Sequence, residues 1–562
     1  MKPPWRWRPW QWRLREWRPW RWRPSKALQL RLIGIALALA TMVLAGVEQR
    51  DVGIARDETV YMTAGSRYAE WWVGLVKFQH GPTANIDGVF GGELGGGNNP
   101  EHPPLVKLAS GLTHRWVHDW IPVFDELTAY RLPSIILHGV LAWLVFSMAL
   151  ALWGLAEATL AVACLALLPR ALFHAGLDCF DAPTMTLWFA TIYAYWKCLD
   201  GRTWPWQAGV VWGLALATKH TALLIPFAIA PHMIYLAARD RDWLRHWRVV
   251  VSFVVFGPLV LYALWPWLWA APKHHVQQWL AFHLNHTHYN YEYLGHNWNA
   301  PRFPWHVPIV TTLFTVPTAT LVAAATGASV WFANWRACRR GTETSTYDRR
   351  APVLLLVLSA GAAVGPFVLG STPIFGAEKH FMPMLPTLCI AAGVGAAWAA
   401  RRAAAAFASA LAPRIAFGIV AATLVAAGTT EVVVAQPYAL TWYSALAGGA
   451  PGGADLGMNR QFWGVAARGV TGVIAKRPPG LVYSHDAQPA WGWYAHLGLL
   501  PKGYNDSGHE DAGIRASKYA IVIHELHFNR HDYLIWKAYG TTKPIYVLRA
   551  HGVPIVSVYE RP

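Results

Sequence analysis

The acidic pair Asp57-Glu58 lies just past the first long apolar segment of the chain, Ala27 to Val47, a few residues beyond the expected membrane edge. A carboxylate in such a position either stays idle in water or does chemistry, and accepting a proton within hydrogen-bond reach is a reaction suited to it. A second polar segment, Glu101 to Lys107, joins a carboxylate, an imidazole and an ammonium. Together the two segments predict a reaction site. The alternative is that Asp57 and Glu58 favourably face the dipole of a helix over residues 59–72.

The composition shows what kind of protein must position these residues. Of the 562 residues, 54% are hydrophobic and only 14% are charged, and the mean hydropathy is +0.24. Apolar runs of ~18 residues or more recur, which indicates membrane spans. The net charge of +17 is gathered in short clusters between these runs. Membrane proteins distribute basic residues in this way, so the charge does not indicate nucleic-acid binding.

About eleven or more transmembrane helices are predicted, each near the ~20 residues that a bilayer core requires. The first is Ala27 to Val47, whose apolar core is longer than that of a signal peptide. The others are predicted at Leu132–Trp153, Ala156–Phe173, Pro183–Lys197, Trp204–Thr218, Thr221–Ala238, Val249–Ala270, Val307–Ala333, Ala351–Leu369, Phe381–Ala400 and Ile415–Ala435. The expected fold is therefore a polytopic α-helical membrane protein.

Basic residues predict how these spans are oriented. If the N-terminus is cytoplasmic, the inside loops are 197–202, 239–248, 335–350 and 401–414, and these hold the arginine clusters. The loops on the other side are poor in arginine. We therefore predict a multi-pass protein of the cell (inner) membrane, with Asp57 and the C-terminal region on the extracytoplasmic side.

The chain is expected to have three parts. Residues 1–26 are a basic Trp/Arg-rich cytoplasmic tail, either disordered or bound to anionic lipid, in which repeated prolines disfavour helix. Residues 27–435 are the transmembrane domain, whose outer loops 48–130 and 273–306 are long enough to carry function and juxtamembrane helices. Residues 436–562 are an extracytoplasmic soluble α/β domain. Its strands are predicted at Leu481–Ser484, Tyr519–His524, Ile545–Leu548 and Pro554–Tyr559.

An ordered set of motifs over residues 28–470 resembles a known superfamily. Asp57-Glu58 after the first span, followed by His102-Pro103-Pro104-Leu105-x-Lys107, is similar to the protein O-mannosyltransferase pattern. Other motifs resemble the related lipid A aminoarabinose transferases: Ala129-Tyr130-Arg131-Leu132-Pro133-Ser134, Phe173-His174-x3-Asp178-x2-Asp181-Ala182-Pro183, Gly213-Leu214-Ala215-x2-Thr218-Lys219, Tyr293-Leu294-Gly295 through Pro304-Trp305-His306, and Glu378-Lys379-His380-Phe381-x-Pro383-x2-Pro386. The order of the motifs carries a resemblance to the GT-C, polyprenyl-phosphate-sugar-dependent glycosyltransferases.

This resemblance implies an integral-membrane hexosyl- or mannosyltransferase-like enzyme at the outer face of the membrane. The donor would be a sugar on a polyprenyl phosphate, and the acceptor a hydroxyl of a protein, lipid or glycan. Asp57 is then the expected general base of a single inverting displacement, a role worth roughly 10²–10⁴-fold in rate. Glu58 is expected to orient the acceptor or a loop cation. The His102 to Lys107 element favours protein glycosylation.

The leaving group of such a reaction is a lipid phosphate, so positive charge should converge on it. An ammonium ~4 Å from a phosphate gains about 4 kcal/mol at an effective dielectric of roughly 20. Pro103 and Pro104 suit the first turn of a helix, whose free N–H groups bind anions. The expected donor-binding residues are His102, Lys107, Lys219, Lys379 and His380. The alternative for Lys107 is to cap a helix or to snorkel, and for Lys219 and Lys379 it is to snorkel to the interface.

Two further groups of residues are candidates for acceptor contact or for structural roles. Asp178 and Asp181 lie on an outer turn, where they would position an acceptor or a metal, or where Asp181 would cap the next helix. In the second outer loop, His283, His286 and His288 have side chains that bind zinc, but no second ligand pair follows, so acceptor or phosphate contact is preferred. No cofactor is certain, and a requirement for a divalent metal ion stays open.

A different class of protein also fits many spans with few charges. A membrane transporter, or a lipid or glycan carrier without transferase activity, would have ionisable residues near the middle of its spans. Here the charges cluster at the outer ends of spans and in loops. This placement favours a site at the membrane surface.

Overall fold

The computed structural model describes residues 25–199, 205–243, 246–339, 349–407, 411–525 and 528–562. The Trp/Arg-rich tail predicted for residues 1–26 lies almost entirely outside the described residues. Parts of the predicted inside loops 197–202, 239–248, 335–350 and 401–414 lie outside them as well.

The described residues between Lys26 and Ala435 form a helical body. Its helices are α1 (Lys26–Glu48), α2 (Arg56–Val76), α3 (Ile86–Phe90), α4 (Leu105–His114), α5 (Glu126–Leu152), α6 (Leu155–Ala166), α7 (Pro169–Ala175), α8 (Asp181–Cys198), α9 (Trp206–Leu216), α10 (Pro226–Asp240), α11 (Trp247–Leu264), α12 (Trp267–Ala270), α13 (Pro272–Leu284), α14 (Val307–Thr315), α15 (Thr318–Arg339), α16 (Arg350–Val368), α17 (Leu385–Ala405) and α18 (Ala412–Ala435). Between α13 and α14, strands β1 (Tyr291–Tyr293) and β2 (His296–Trp298) form an antiparallel hairpin.

Seven of the described helical segments are long and apolar enough to cross a membrane. They are Lys26–Glu48, Glu126–Leu152, His220–Asp240, Trp247–Leu264, Arg350–Val368, Met382–Ala405 and Ala412–Ala435. The bent pair α6 and α7 makes an eighth if it is counted as one span. The polytopic helical fold is thus confirmed, whereas the number of about eleven spans stays a prediction.

Two prolines explain part of the difference between the predicted spans, about eleven, and the seven or eight found among the described helices. The predicted span Ala156–Phe173 bends by 71° between α6 and α7, where Leu168 precedes Pro169 in an extended conformation. The predicted span Val307–Ala333 is broken in the same way, since Val316 is extended before Pro317. A residue before proline is driven away from the helical conformation, and hydropathy does not register this effect.

Close packing between α2 and α4 sets the position of the His102 segment relative to Asp57. Helices α2 and α4 cross at Gly65 and Gly111. A Cβ atom on Gly65 would lie 2.3 Å from the Lys107 carbonyl oxygen, and one on Gly111 would lie 2.0 Å from the Gly65 carbonyl oxygen. Only residues without a side chain allow this approach, which fixes α4 against the helix that carries Asp57.

The C-terminal region forms a small α/β unit. It comprises α19 (Gly449–Asp455), α20 (Arg468–Ile474), β3 (Val482–Tyr483), α21 (Gln488–His496), α22 (Glu510–Ala516), β4 (Tyr519–Ile523), α23 (Asn529–Tyr539), β5 (Tyr546–Ala550) and β6 (Val553–Glu560). The strand order is β3-β4-β6-β5, with β3 parallel to β4 and the other pairs antiparallel. The four strands lie where the sequence predicts them. Tyr494 and Asp486 join this unit to the start of α2, since the Tyr494 hydroxyl accepts the Ile54 N–H at 2.9 Å and Asp486 accepts from Arg56 at 2.7 Å.

Candidate active site

Glu58, in the first turn of α2, is the centre of a closed hydrogen-bond network. Arg131 of α5 donates to both carboxylate oxygens, from Nε and from Nη2, at 2.8 Å each. The carboxylate also accepts the backbone N–H groups of Ala55 and Asp178 at 2.8 Å. The side chains of Glu58 and Arg131 are both 0% exposed. Glu58 therefore holds α2, α5 and the turn before α8 together, and the cation that it orients comes from a helix rather than from a loop.

Asp57, the next residue in the same helical turn, has a much more open environment. Its Oδ2 accepts a hydrogen bond from Nε1 of Trp463 at 2.9 Å, and its Oδ1 lies 3.5 Å from Nε of Arg56. The side chain is 29% exposed. The backbone of Trp463 is tied to the same helix, since its carbonyl accepts the Arg56 N–H at 2.9 Å. Oδ2 of Asp57 is thus held by Trp463, whereas Oδ1 has only a long hydrogen bond from the exposed side chain of Arg56 and keeps capacity to accept from a ligand.

The side chain of Lys379 contacts the ring of the same tryptophan, Trp463. It lies on the short 3₁₀ turn Ala377–His380 before α17, and its Nζ is 3.9 Å from the centre of the Trp463 ring. Burial lowers the pKa of Lys379, while the negative charges of Asp181 and Asp57 oppose this shift. The ammonium therefore rests on an aromatic face, within electrostatic reach of two carboxylates. A cation over an indole gains about 0.5–2 kcal/mol.

Asp57, Trp463 and Lys379 form a cluster, and Lys219 and Asp181 form an ion pair beside it. Nζ of Lys219 donates to Oδ1 of Asp181 at 2.7 Å, and both side chains are buried. Asp181 is the first residue of α8 rather than its N-cap, which is Phe180. Asp181 therefore pairs with Lys219 instead of capping α8, and Lys219 pairs with Asp181 instead of snorkelling to the membrane interface.

His102 lies next to the cluster among other rings. Its ring centroid is 5.1 Å from that of Phe180 and 5.5 Å from that of His283. Its Nδ1 is buried and meets no hydrogen-bond partner among the described residues. Burial lowers the pKa of His102 well below its usual value, and His283 and Lys107 lower it further. A neutral imidazole binds a phosphate only as a hydrogen-bond donor, not as a cation.

Lys107 and the start of α4 are occupied by protein groups. The buried ammonium of Lys107 donates to the carbonyl oxygens of Asn99 and His102 at 2.7 and 2.8 Å, and to Oδ1 of Asn99 at 3.0 Å. Burial lowers the pKa of Lys107 to about 7. The first free N–H of α4, that of Leu105, donates to the Ala217 carbonyl at 2.9 Å. These contacts hold the loop that carries His102, and the role of Lys107 and of this helix start in binding the donor phosphate stays a prediction.

The remaining candidates are divided between the cluster and its surroundings. His286 stacks on Phe375 at 5.3 Å between centroids, and Nζ of Lys379 lies 4.8 Å from the same ring. His380 contacts the Phe375 carbonyl through Nε2 at 2.6 Å, and burial lowers its pKa well below the usual value. His288 instead packs near Phe303. His286 and His380 therefore shape the surroundings of Lys379, and His288 contributes to the loop.

Asp178 is buried beside the Glu58 network without being neutralised by it. Neither of its carboxylate oxygens has a hydrogen-bond partner of normal geometry among the described residues, although the Ser110 side chain lies near enough to oppose the rise in its pKa. Burial raises the pKa of Asp178 well above its usual value, and the charge of Glu58 raises it further. Its backbone N–H, rather than its carboxylate, is the group that Glu58 uses.

Three residues that position the cluster do not stand out in the sequence as functional. Trp463 gives no signal beyond its place in a motif of unknown chemistry, and Arg131 is visible only as part of a motif. Arg170 anchors the turn of Lys379, since it donates to Glu378 at 2.8 Å and to the carbonyls of Leu440 and Trp442 at 3.0 and 2.9 Å. Arg170 could have been found from the sequence, because it lies inside the predicted span Ala156–Phe173 and an arginine in a span requires a partner.

The chain is similar to known proteins in part of its sequence and in its fold. Residues 102–269 match the model of the Dolichyl-phosphate-mannose-protein mannosyltransferase family. No curated protein sequence matches the chain. The oligosaccharyltransferase AglB from Archaeoglobus fulgidus, solved with an inhibitory peptide and a dolichol-phosphate, aligns over 92% of this chain and 71% of its own, with 10% identity and a TM-score of 0.50.

ArnT from Cupriavidus metallidurans aligns over a similar share of this chain. Its apo structure aligns over 95% of this chain and 98% of its own, with 14% identity and a TM-score of 0.48. Its structure with undecaprenyl phosphate has the same identity and coverage and a TM-score of 0.45. Residues 102–269 are thus similar in sequence to a family of dolichyl-phosphate-mannose-dependent mannosyltransferases, and the chain is similar in fold to AglB. Both findings agree with the resemblance stated from the motifs.

Proposed function

We propose that this protein transfers a hexosyl group, mannosyl-like, from a polyprenyl phosphate to an acceptor hydroxyl at the extracytoplasmic face of the cell membrane. The acceptor hydroxyl oxygen attacks the anomeric carbon while its proton passes to Asp57. The bond from that carbon to the phosphate oxygen breaks, and the polyprenyl phosphate leaves with the negative charge. Attack opposite the leaving group inverts the anomeric configuration.

One observation carries this proposal: a single indole joins the carboxylate of Asp57 to the ammonium of Lys379. Nε1 of Trp463 donates to Asp57 at 2.9 Å, and its ring face lies 3.9 Å from Nζ of Lys379. The two opposite charges are thus brought close without forming an ion pair with each other. A base and a cation held apart in this way match the two ends of the reaction, the hydroxyl proton and the phosphate.

Lys379 fits the phosphate role better than the other predicted cations. The ammonium of Lys219 is already neutralised by Asp181 at 2.7 Å, and that of Lys107 is bound to carbonyl oxygens. An ammonium on aromatic faces keeps its capacity to donate three hydrogen bonds to a ligand. Lys219 stays paired with Asp181, which leaves Lys379 as the cation proposed to contact the phosphate.

The donor and acceptor classes are supported by the matched proteins. The matched family is described by a dolichyl-phosphate-mannose donor and a protein acceptor, and the AglB structure contains a dolichol-phosphate and a peptide. A lipid phosphate as leaving group also agrees with a site beside apolar helices. We therefore propose a protein hydroxyl as the first acceptor to test, ahead of a lipid or a glycan.

The test is a transfer assay with the purified protein in lipid nanodiscs and a radiolabelled polyprenyl-phosphate sugar. Asp57→Asn should bind the donor and lose transfer by roughly a hundredfold or more, the low end of what a general base contributes. Asp51→Asn is the matched control, since Asp51 is an exposed carboxylate close by in the sequence (83% exposed) and should transfer normally. Nuclear magnetic resonance of the product should show the anomeric configuration opposite to that of the donor. Normal transfer by Asp57→Asn would remove Asp57 from the mechanism.

A carrier would give a different result in the same preparation. In sealed vesicles it would move the lipid-linked sugar across the membrane without forming product. Flux without product would overturn the transferase proposal.

A further inference from the structure

A group of metal-binding side chains lies in the first outer loop, apart from the residues proposed for transfer. Helix α4 continues into a π-helical turn, Arg115–Trp120. A π turn is wider than an α turn and is frequent at functional sites. Here it groups His114, His118 and Asp119, which each offer a ligand atom within 4.8 Å of those of the other two. Among the described residues, this is the group of His, Cys, Asp and Glu side chains compact enough to hold a metal ion.

The orientation of His118 is that of a metal ligand. Its Nδ1 lies 3.1 Å from the carbonyl oxygen of Phe124. A carbonyl can only accept, so Nδ1 carries the proton and Nε2 carries the free lone pair. Histidines that bind metals almost always donate the other ring N–H to a carbonyl or a carboxylate in this way.

His114 is arranged between two carboxylates. Its Nδ1 lies 3.6 Å from Oδ2 of Asp119, and its Nε2 lies 3.8 Å from Oε1 of Glu126. Stacking on Tyr130, at 4.2 Å between centroids, fixes the plane of the ring. Nε2 is buried and has no hydrogen-bond partner in the part of the chain that the structure describes. The ring is thus positioned to present Nδ1 beside Asp119 and to direct its Nε2 proton to Glu126.

We propose that His114, His118 and Asp119 bind a divalent transition-metal ion, with Zn²⁺ as the best match to two imidazoles and a carboxylate. Zn²⁺ takes such ligands at about 2.0–2.2 Å in tetrahedral geometry. The three side chains close in slightly around the ion, and water or another small ligand takes the fourth position. Mg²⁺, which prefers oxygen ligands in an octahedron, does not match this set.

The second ligand shell connects this site to the C-terminal unit. The other carboxylate oxygen of Glu126, Oε2, accepts from Nε2 of His496 on α21 at 2.9 Å. A path of direct neighbours therefore runs from the metal through His114 and Glu126 to His496. Metal binding fixes the ring of His114 and with it Glu126, so it stabilises the contact between the first outer loop and the C-terminal unit.

The experiment measures Zn²⁺ binding to the full-length protein in detergent after removal of metal with a chelator. Wild type should bind one equivalent of Zn²⁺ more than His118→Ala, as counted by elemental analysis after dialysis. His509→Ala is the matched control, because His509 is an exposed histidine of the C-terminal unit, and it should bind like wild type. Counting the difference between variants keeps the result independent of any zinc bound elsewhere.

A second variant keeps the test valid if His118→Ala folds poorly. Asp119→Asn keeps the size of the exposed side chain and removes its charge, and it should bind the ion at least tenfold more weakly by calorimetric titration. Zn²⁺ should also raise the unfolding temperature of wild type and not that of His118→Ala, whereas Mg²⁺ should raise neither. Equal Zn²⁺ stoichiometry and affinity in wild type and both variants would overturn the proposal, and so would a wild type that binds none.

Discussion

Glu58 and Asp57 are neighbours in one helical turn, yet their surroundings differ in every respect that matters for chemistry. Glu58 is fully buried, forms a bidentate pair with Arg131 and accepts two backbone N–H groups. Asp57 is partly exposed and is held firmly through one oxygen, by Trp463. A buried carboxylate with all its partners stabilises structure, and removing a partner is costly. The comparison indicates that the incompletely bonded carboxylate is the one available for reaction.

The lysines show the same contrast. Lys107 is enclosed by carbonyl and amide oxygens, whereas Lys379 rests on the faces of aromatic rings. Oxygen atoms use up the hydrogen-bonding capacity of an ammonium, and ring faces do not. The molecule therefore contains a closed charged region around Glu58 and Lys107, where protein groups occupy the hydrogen-bonding capacity, and a region around Asp57 and the buried Lys379 that is open in the sense that hydrogen-bonding capacity is left over.

The largest effect is expected from breaking the closed region. Arg131→Met leaves the buried Glu58 without its partner, which should lower the free energy of unfolding by about 3–5 kcal/mol. Thermal unfolding in detergent and the monodisperse fraction in size-exclusion chromatography measure this loss. The double variant Glu58→Gln/Arg131→Met should recover part of it, because no unpaired charge stays buried. An Arg131→Met protein as stable as wild type would show that the network is not structural.

A smaller effect, on binding rather than on folding, is expected in the open region. Lys379→Met should raise the KM for the lipid-linked donor by roughly ten- to a hundredfold, since the loss of one charge contact with phosphate is worth about 1.4–3 kcal/mol. The unfolding temperature should stay near that of wild type. Lys379→Arg retains the charge and should lie between the two proteins. An unchanged donor KM in Lys379→Met would place the phosphate elsewhere.

The smallest effect concerns Asp178, which lies at the border of the two regions. Its pKa in the folded protein is raised by burial and by Glu58. A carboxyl pKa that is raised on folding gives stability that is present below the unfolded pKa, near 3.9, and that is lost as pH rises through the folded pKa. Asp178→Asn should therefore lose less stability than wild type between pH 4 and pH 8. Parallel unfolding temperatures of the two proteins across this range would contradict the burial of a charge at Asp178.

The sequence predicts the fold better than it predicts the partners of each charge. Long apolar runs indicate the helical membrane body, and short apolar runs between turn signals indicate strands β3 to β6. The breaks before Pro169 and Pro317 escape prediction because hydropathy averages over them.

For the site, the ordered motifs bring Asp57, Lys219 and Lys379 into consideration together, and the structure places them close to one another. The resemblance assigns the base role to Asp57 rather than to Glu58, but the contacts that separate the two carboxylates are tertiary and cannot be predicted from the sequence. Arg131 is 73 residues from Glu58 in the chain, and Trp463 is 406 residues from Asp57. Contacts at such separations are set by packing, and no local pattern encodes them.

The most direct test compares Asp57→Asn and Glu58→Gln by the rate of sugar transfer per folded molecule, with the folded fraction measured in the same samples. We expect Asp57→Asn to fold and bind donor like wild type and to transfer at roughly one hundredth of its rate or less. Glu58→Gln should yield fewer folded molecules, each of which transfers within about tenfold of wild type. Normal transfer by Asp57→Asn, or a fully folded Glu58→Gln that does not transfer, would contradict the division of roles between these two carboxylates.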